Sequence, residues 1–222
     1  MSRVPGYRSL AVSDTQLDVH RGRWDRLAPL TGLVFVAIVI AAFAIEGSTP
    51  EEHDSAAKVQ AFYSNHHDKH SAVAFVLAIA IPFLLFFVSS LRYDLRRTGG
   101  TGQLANAAFA GGALAASGFA ILAAVHLALA NAGESLTTLG TTQTLNVLDN
   151  NDFIPGAAGV AVLVLAAGAS VVRHGGLPKW LGWLGIVIGI LAFTPAGFFA
   201  FLAAGVWILI ASVMLTRIRL SS

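Results

Sequence analysis

One histidine stands inside a long apolar run, GFAILAAVHLALANAG, which extends from Gly118 to Gly133. An ionisable side chain within a membrane segment is costly, which makes His126 a candidate functional group. Its depth also fits a structural role. His126 lies about 12 Å from the midpoint of the run, near the edge of a hydrocarbon core with a half-thickness of about 15 Å. A neutral histidine hydrogen-bonded to a loop carboxylate explains the same position, so both interpretations are open.

Three carboxylates are predicted at the same outer surface as His126. Glu46 ends the first apolar segment, and Asp149 and Asp152 precede the fourth. These four residues form a predicted outer-face polar cluster. Two of its members also have a purely structural explanation. Glu46 fits a polar residue at the membrane interface, and Asp152 fits the N-cap of the following helix.

The sequence HHDKH supplies three further histidines near this surface. His66 and His70 are four residues apart, so on a helix they share a face, and this spacing can hold a divalent metal ion. The predicted metal ligands are His66, His70 and His126. No glutamate separates the first two as it does in the HExxH zinc-protease motif. A solvated turn beside the membrane is the alternative, and no other cofactor is predicted.

Several kinds of chemistry have no support in the sequence. The chain has no cysteine, which excludes disulfides and thiolate metal sites. Phosphate-binding loops, nucleophile elbows and dinucleotide-binding glycine patterns are absent from suitable contexts. No charged residue lies at the middle of an apolar segment, which argues against a proton pump or an ion-coupled transporter. These absences favour a non-enzymatic protein.

The elements that position these residues are membrane helices. The 222-residue chain is 55% hydrophobic and 12% charged, with a mean hydropathy of +0.70, and long apolar runs recur along it. We predict an all-α polytopic bundle. Its six transmembrane segments are approximately Leu27–Ile45, Ala72–Leu91, Leu104–Ala130, Phe153–Val172, Trp180–Ala196 and Phe198–Leu215.

The basic residues orient this bundle. With both termini in the cytoplasm, twelve of the 14 lysines and arginines lie on the inner side and only Lys58 and Lys69 lie outside. The predicted divisions are a cytoplasmic tail (1–26), a membrane domain (27–216) and a second cytoplasmic tail (217–222). The location is a bacterial plasma membrane. The basic residues thus act as topology signals and do not indicate nucleic-acid binding.

Two long outer loops are each predicted to contain a short amphipathic helix on the outer face. The first has a capping box that begins at Thr49, and the second has Leu145 and Leu148 on one face. A tandem repeat (27–97 and 104–173) followed by a hairpin (180–216) is one interpretation of this order. Unrelated hairpins are the other.

Small residues on the apolar segments predict close helix contacts. A Gly-x-x-x-Gly pair in the fifth segment is compatible with packing inside the bundle or with a homodimer face. The predicted packing residues are Gly111, Gly112, Ala115, Gly156, Gly159, Gly185 and Gly189.

Three stretches carry a family resemblance: EGSTPEEHDSAAKVQAFYSNHHDKH, LDNNDFIPGAAG and GGLPKWLGWLGIVIGIL. Together they resemble a broad group of small multi-pass bacterial membrane proteins, mostly from high-GC Gram-positive bacteria, whose function is unassigned. The resemblance covers most of residues 24–216. It implies a fold and a membrane location but no activity, and no functional residue follows from it.

Three functional hypotheses fit the sequence. The first is a non-enzymatic membrane protein, either an accessory or assembly subunit of another membrane protein or a binder of a small ligand or lipid. The second is an outer-face site or enzyme around His126, with a metal ion as its cofactor. The third is a facilitative transporter, suggested by the repeat and by Pro82 and Pro195.

Overall fold

The helices of the protein follow the apolar segments of its sequence. A computed structural model describes residues 23–99, 102–134 and 138–221, and every regular element in these ranges is helical. In chain order the elements are α1 (Arg23–Leu27), a 3-10 turn (Ala28–Leu30), α2 (Thr31–Glu46), α3 (Ala56–Asn65), α4 (His67–Arg97), α5 (Gln103–Glu134), α6 (Leu139–Asp149), α7 (Phe153–His174), α8 (Lys179–Leu191) and α9 (Gly197–Ser221).

The described ranges contain five helical segments that are long and apolar enough to cross a bilayer, in agreement with a helical membrane bundle. They are Asp25–Glu46, His67–Arg97, Gln103–Gly133, Leu139–His174 and Gly197–Ser221. The fifth predicted segment is helix α8, which has only 13 residues. At 1.5 Å per residue it is about 20 Å long, shorter than a hydrocarbon core of about 30 Å.

The described helices extend into both predicted cytoplasmic tails, whose location stays a prediction. Residues 23–26 belong to α1, and the remainder of the predicted N-terminal tail lies outside the described residues. At the other end, α9 continues past Arg217 to Ser221. Side-chain bonds of Arg219 to α4 hold the last turns of α9 in place, so the helix does not end where its apolar sequence ends.

The short helix α3 begins later than the capping box at Thr49 predicted. Its N-cap is Ser55, whose side chain accepts a hydrogen bond from the backbone N–H of Lys58. The preceding chain forms a turn instead, in which the Glu51 N–H donates to Asp54 at 2.9 Å. A side chain that closes this turn competes with helix formation in the same segment.

The other short helix, α6, buries only part of its predicted apolar face. Leu148 is 48% exposed, whereas the polar residues Thr142 and Asn146 are fully buried. The Asn146 side chain donates to the backbone carbonyl of Glu51 at 3.0 Å. Leu145 packs against the small apolar cluster of Val59, Tyr63 and Leu129, so α6 contacts its neighbours through both polar and apolar side chains.

Small residues bring α5 and α7 together, as the sequence predicted. A Cβ atom on Gly159 would collide with the backbone of Ala115, and one on Gly111 would collide with the backbone of Leu163. Gly156 differs, because a Cβ atom there would meet nothing closer than 3.9 Å. A Cβ atom on Gly118 of α5 would nevertheless collide with the backbone of Gly156, so the two helices are in close contact from Gly111 to Gly118.

The other predicted packing glycines also lie against neighbouring helices. Gly185 and Gly189 of α8 both pack against α7, where an added Cβ atom would collide with the Val164 carbonyl and the Leu165 side chain, respectively. Gly112 of α5 packs in the same way against Val88 of α4. The Gly185–Gly189 pair therefore packs inside the bundle.

The order of elements is the same in the two units of the predicted repeat. Helices α2, α3 and α4 form a long, short, long series, and α5, α6 and α7 form another. Common ancestry of the two units stays a prediction.

Candidate functional site

The site is built around the imidazole ring of His126, near the end of α5. The residue is buried, with 4% of its surface exposed. Its Nδ1 lies 3.1 Å from the carbonyl oxygen of Leu122, one turn earlier in the same helix. This contact fixes the plane of the ring and directs Nε2 away from the helix.

Glu46 occupies the position opposite Nε2. Its Oε1 lies 2.5 Å from Nε2 of His126, and both side chains are buried. Glu46 is the last residue of α2, and Gly47 ends the helix with a φ of 68°, a conformation that glycine adopts readily. The chain turns away immediately after the carboxylate, which leaves Glu46 at the helix end facing α5.

Asp149, the last residue of α6, lies on the other side of the ring. Its Oδ1 is 3.0 Å from Nδ1 of His126, and its Oδ2 accepts a hydrogen bond of 3.4 Å from the hydroxyl of Tyr63 in α3. Burial raises the pKa of Tyr63, and the nearby charges of Asp149 and Glu46 raise it further. The hydroxyl therefore keeps its proton and remains a donor.

Asp152 completes the predicted cluster. Its ligating oxygen lies within 4.8 Å of the ligating atoms of His126 and Asp149, and only 3% of the residue is exposed. Asp152 occupies the N-cap position of α7, but its side chain makes no capping hydrogen bond. Within the described residues neither of its oxygens has a hydrogen-bond partner. Helix capping therefore does not account for this carboxylate.

The short helices α3 and α6 cover this group. Tyr63 packs against Gly133 near the end of α5, and the side chains of Gln143 and Asn146 donate to backbone carbonyls in the loop before α3. Asn150 donates to the carbonyl of Pro50 at 3.5 Å. These contacts seal the cluster beneath a layer of helix and loop.

Of the three predicted metal ligands, only His126 belongs to this group, and His66 and His70 lie outside it. His66 separates α3 from α4, is stacked on Phe62 at 4.6 Å and has its Nδ1 2.8 Å from the Phe62 carbonyl. His70 is fully buried, and its ring centre lies 4.9 Å from that of Tyr63. The structure groups His126 with Asp149 and Asp152 as possible metal ligands, not with His66 and His70.

A cavity of about 520 Å³ adjoins the polar cluster. Its walls come from α2, α5, α7 and α9 and from the turn between α8 and α9, and most of the lining side chains are apolar. A second cavity of about 280 Å³ shares three of these residues and continues between α2 and α9. The shared residues are Phe43, Phe119 and Phe201.

The cavity and the cluster share the same helical turns. Leu122 lines the cavity, and its carbonyl contacts the ring of His126. Phe153 also lines the cavity and directly follows Asp152.

At the opposite end of the bundle, Arg219 makes a buried set of contacts that the sequence did not predict. Its Nη2 lies 2.7 Å from Oδ2 of Asp94, and the same nitrogen donates to the carbonyl of Ser90 at 3.1 Å. Nη1 donates to the carbonyl of Asp25. Arg219 thus joins the ends of α9 and α4 to the start of the first membrane helix. Asp94, an acidic residue among the basic residues of LRYDLRR, was a sequence signal for an ion pair at this end of the bundle.

No protein-family model, curated protein or solved structure matches this chain. The resemblance to small multi-pass bacterial proteins therefore stays a prediction. Any function must therefore be inferred from the residues of the polar cluster and of the cavity.

Proposed function

We propose that this chain is an integral membrane protein that binds an apolar or amphipathic small molecule, such as the acyl chain of a lipid, between its helices. The observation that carries the proposal is the cavity of about 520 Å³ beside the buried polar cluster. Its size lies within the range of roughly 300–1,000 Å³ found for small-molecule sites.

The chemistry of the walls favours an apolar ligand. Aromatic side chains from three helices, Phe43, Phe153 and Phe198, line the cavity and are themselves more than 40% exposed. The hydroxyl of Thr194, a polar group on the wall, already donates to the carbonyl of Leu191 at 2.7 Å. A hydrocarbon chain fits such walls, because few polar groups there require a partner.

Photocrosslinking tests the proposal. The purified chain is reconstituted in vesicles that contain a phosphatidylglycerol with a diazirine on one acyl chain, and labelled peptides are mapped by mass spectrometry. We expect residues 197–201, which include the wall residues Gly197, Phe198 and Phe201, to be labelled more strongly than residues 75–79 of α4. Phe75 and Ile79 in that stretch are exposed, so it reports ordinary contact with lipid.

A matched pair of variants makes the test specific. Ala157→Phe fills the cavity from α7, and Ala78→Phe adds the same ring to an exposed face of α4. We expect Ala157→Phe to reduce labelling of residues 197–201 several-fold and Ala78→Phe to leave it unchanged. Equal labelling of the cavity in both variants and the wild type would overturn the proposal.

The proposed topology has six crossings with both termini in the cytoplasm of a bacterium. Three relationships support it. The Arg219 contacts bring the end of α9 to the end of α4, Gly176 before α8 approaches Thr98 after α4, and the turn between α8 and α9 meets the far ends of α2 and α7 at the cavity. Helix α8 thus runs away from the basic end, and α9 returns to it.

The absence of cysteine makes this topology easy to test. Single-cysteine variants Asp68→Cys and Ser221→Cys are treated with a membrane-impermeant maleimide in intact cells and after lysis. We expect position 68 to react in intact cells and position 221 only after lysis. Reaction of position 221 in intact cells would contradict an even number of crossings.

The accessory-subunit, enzyme and transporter hypotheses stay predictions. The cavities of about 520 Å³ and 280 Å³ are apolar, and they give a polar transport pathway no support.

A further inference from the structure

We infer that His126, Asp149 and Asp152 form a binding site for a divalent metal ion, with Glu46 orienting the histidine. This inference goes beyond the proposed function, because it concerns a different ligand and a different set of atoms. It also assigns a set of ligands that differs from the histidines predicted from sequence spacing.

The geometry places three ligand atoms together. One atom each from His126, Asp149 and Asp152 lies within 4.8 Å of the other two. Ligands held about 2.0–2.2 Å from a zinc ion are separated by roughly 3.5 Å in a tetrahedral site. Small side-chain rotations would bring the three atoms to that spacing.

The unpartnered carboxylate of Asp152 is an independent indication of a ligand. The residue is 97% buried, its side chain does not cap α7, and neither oxygen has a hydrogen-bond partner within the described residues. A buried carboxylate without a partner costs several kcal/mol unless it is protonated or bound to a cation. Asp152 lies next to an imidazole and a second carboxylate that can share such a cation.

The charge of the buried group supports the same conclusion. Glu46, Asp149 and Asp152 supply three carboxylates around the imidazole of His126. Tyr63, which also contacts Asp149, is a neutral donor and does not offset this charge. A divalent cation would reduce the excess negative charge without adding a bulky group to a sealed space.

One ring nitrogen of His126 is placed to bind the metal ion, and the other is placed to donate a hydrogen bond to a supporting carboxylate. Nδ1 lies 3.0 Å from Asp149 and 3.1 Å from the carbonyl oxygen of Leu122, and Nε2 faces Glu46 at 2.5 Å. Metal-binding histidines usually donate their second N–H to a carboxylate or carbonyl, which fixes the tautomer and the ring orientation. In the proposed site the cation replaces the proton on Nδ1, and Nε2–H donates to Glu46.

The donor set selects the class of metal. One imidazole with carboxylates suits Zn²⁺ or Mn²⁺, and the cysteine-free chain offers no thiolate for softer ions. Calcium and magnesium prefer oxygen ligands throughout. We therefore expect binding of Zn²⁺ and Mn²⁺ in preference to Mg²⁺.

The test is a metal-binding measurement on the full chain. Protein without a histidine tag is purified in mild detergent, stripped with a chelator, and titrated in separate experiments with Zn²⁺ and with Mn²⁺ by equilibrium dialysis and elemental analysis. We expect one ion per chain, with at least tenfold weaker binding in Asp152→Asn and His126→Gln. Glu46→Gln is expected to weaken binding by roughly 10–100-fold, as loss of a supporting carboxylate does.

Asp68→Asn is the matched control, because the same change is made at a fully exposed carboxylate near the same end of the bundle. It should bind as the wild type does. X-ray absorption of the zinc-loaded wild type provides a measurement that needs no variant, with imidazole and oxygen scattering expected from the nearest neighbours of the metal. The inference is overturned if the wild type binds neither Zn²⁺ nor Mn²⁺, if Asp152→Asn binds equally well, or if the spectrum lacks an imidazole ligand.

Discussion

Nε2 of His126 lies 2.5 Å from Oε1 of Glu46, although 80 positions separate the two residues in the chain. The contact joins the end of α2 to the end of α5 at a depth where both side chains are buried. Each residue alone would leave an uncompensated polar group in a poorly solvated region. The pair therefore acts as a structural link between two helices as well as part of the candidate site.

Replacement of Glu46 tests the structural part of this link. We expect Glu46→Ala to lower the free energy of unfolding by about 3 kcal/mol, because it leaves His126 and its remaining neighbours buried without their closest partner. Glu46→Gln should cost less, since the amide oxygen still accepts a hydrogen bond. Thermal unfolding followed by circular dichroism in detergent measures both, with the exposed Glu51→Ala as control. Equal midpoints for Glu46→Ala and Glu51→Ala would contradict the prediction.

Tyr63 makes a second link, and its stability contribution depends on pH. Burial raises the pKa of Tyr63 above the value of 10.0 that an exposed tyrosine has. The unfolded chain therefore loses this proton first, so the contribution is complete below about pH 10 and is lost as the pH rises further. We expect Tyr63→Phe to cost about 1 kcal/mol at about pH 8 and to show a smaller further loss at about pH 11 than the wild type.

The control for this comparison is Tyr93→Phe, because Tyr93 is 53% exposed. Its unfolding midpoint should follow the wild-type dependence on pH. Parallel curves for Tyr63→Phe and the wild type between about pH 8 and about pH 11 would show that the Tyr63 hydroxyl contributes nothing in this range.

Much of the helix pattern was predictable, because a membrane requires long apolar helices with satisfied backbones. The grouping of Glu46, His126, Asp149 and Asp152 also followed from the sequence, since the alternation of crossings places their segments at one surface. The roles of Leu148 and Tyr63 did not follow. Leu148 is exposed although Leu145 of the same helix packs against Val59, Tyr63 and Leu129, and the partner of the Tyr63 hydroxyl depends on how two loops fold over the bundle.

The histidine spacing was misleading for a local reason. His66 and His70 are four residues apart, but α3 ends at Asn65 and α4 begins at His67. The rings are 6.5 Å apart and nearly perpendicular, at 86°. His66 is the non-helical N-cap of α4, so its side chain does not share a helical face with His70, as a metal site at this spacing requires.

The pairing of Arg219 with Asp94 predicts unequal effects for two arginines that are two residues apart. Arg219 is buried and bonds both oxygens of Asp94, whereas Arg217 is exposed. We expect Arg219→Ala to lower the free energy of unfolding by about 3 kcal/mol and Arg217→Ala by less than about 0.5 kcal/mol. Both variants remove one positive charge from the same end of the bundle, so any effect of this charge on membrane topology would be the same in both. Equal losses in thermal unfolding would contradict a specific role for the buried pair.

The contact between α5 and α7 provides a matched test with two glycines of one helix. A Cβ atom on Gly159 would collide with the backbone of Ala115, whereas one on Gly156 would meet nothing closer than 3.9 Å. Backbone cannot move aside as a flexible side chain can, so Gly159→Ala must separate the helices. We expect it to cost about 1–3 kcal/mol, the usual range for overpacking, and Gly156→Ala to be nearly neutral. Unfolding midpoints in detergent measure both, and a loss for Gly156→Ala as large as that for Gly159→Ala would show that the helices are not this close at Ala115.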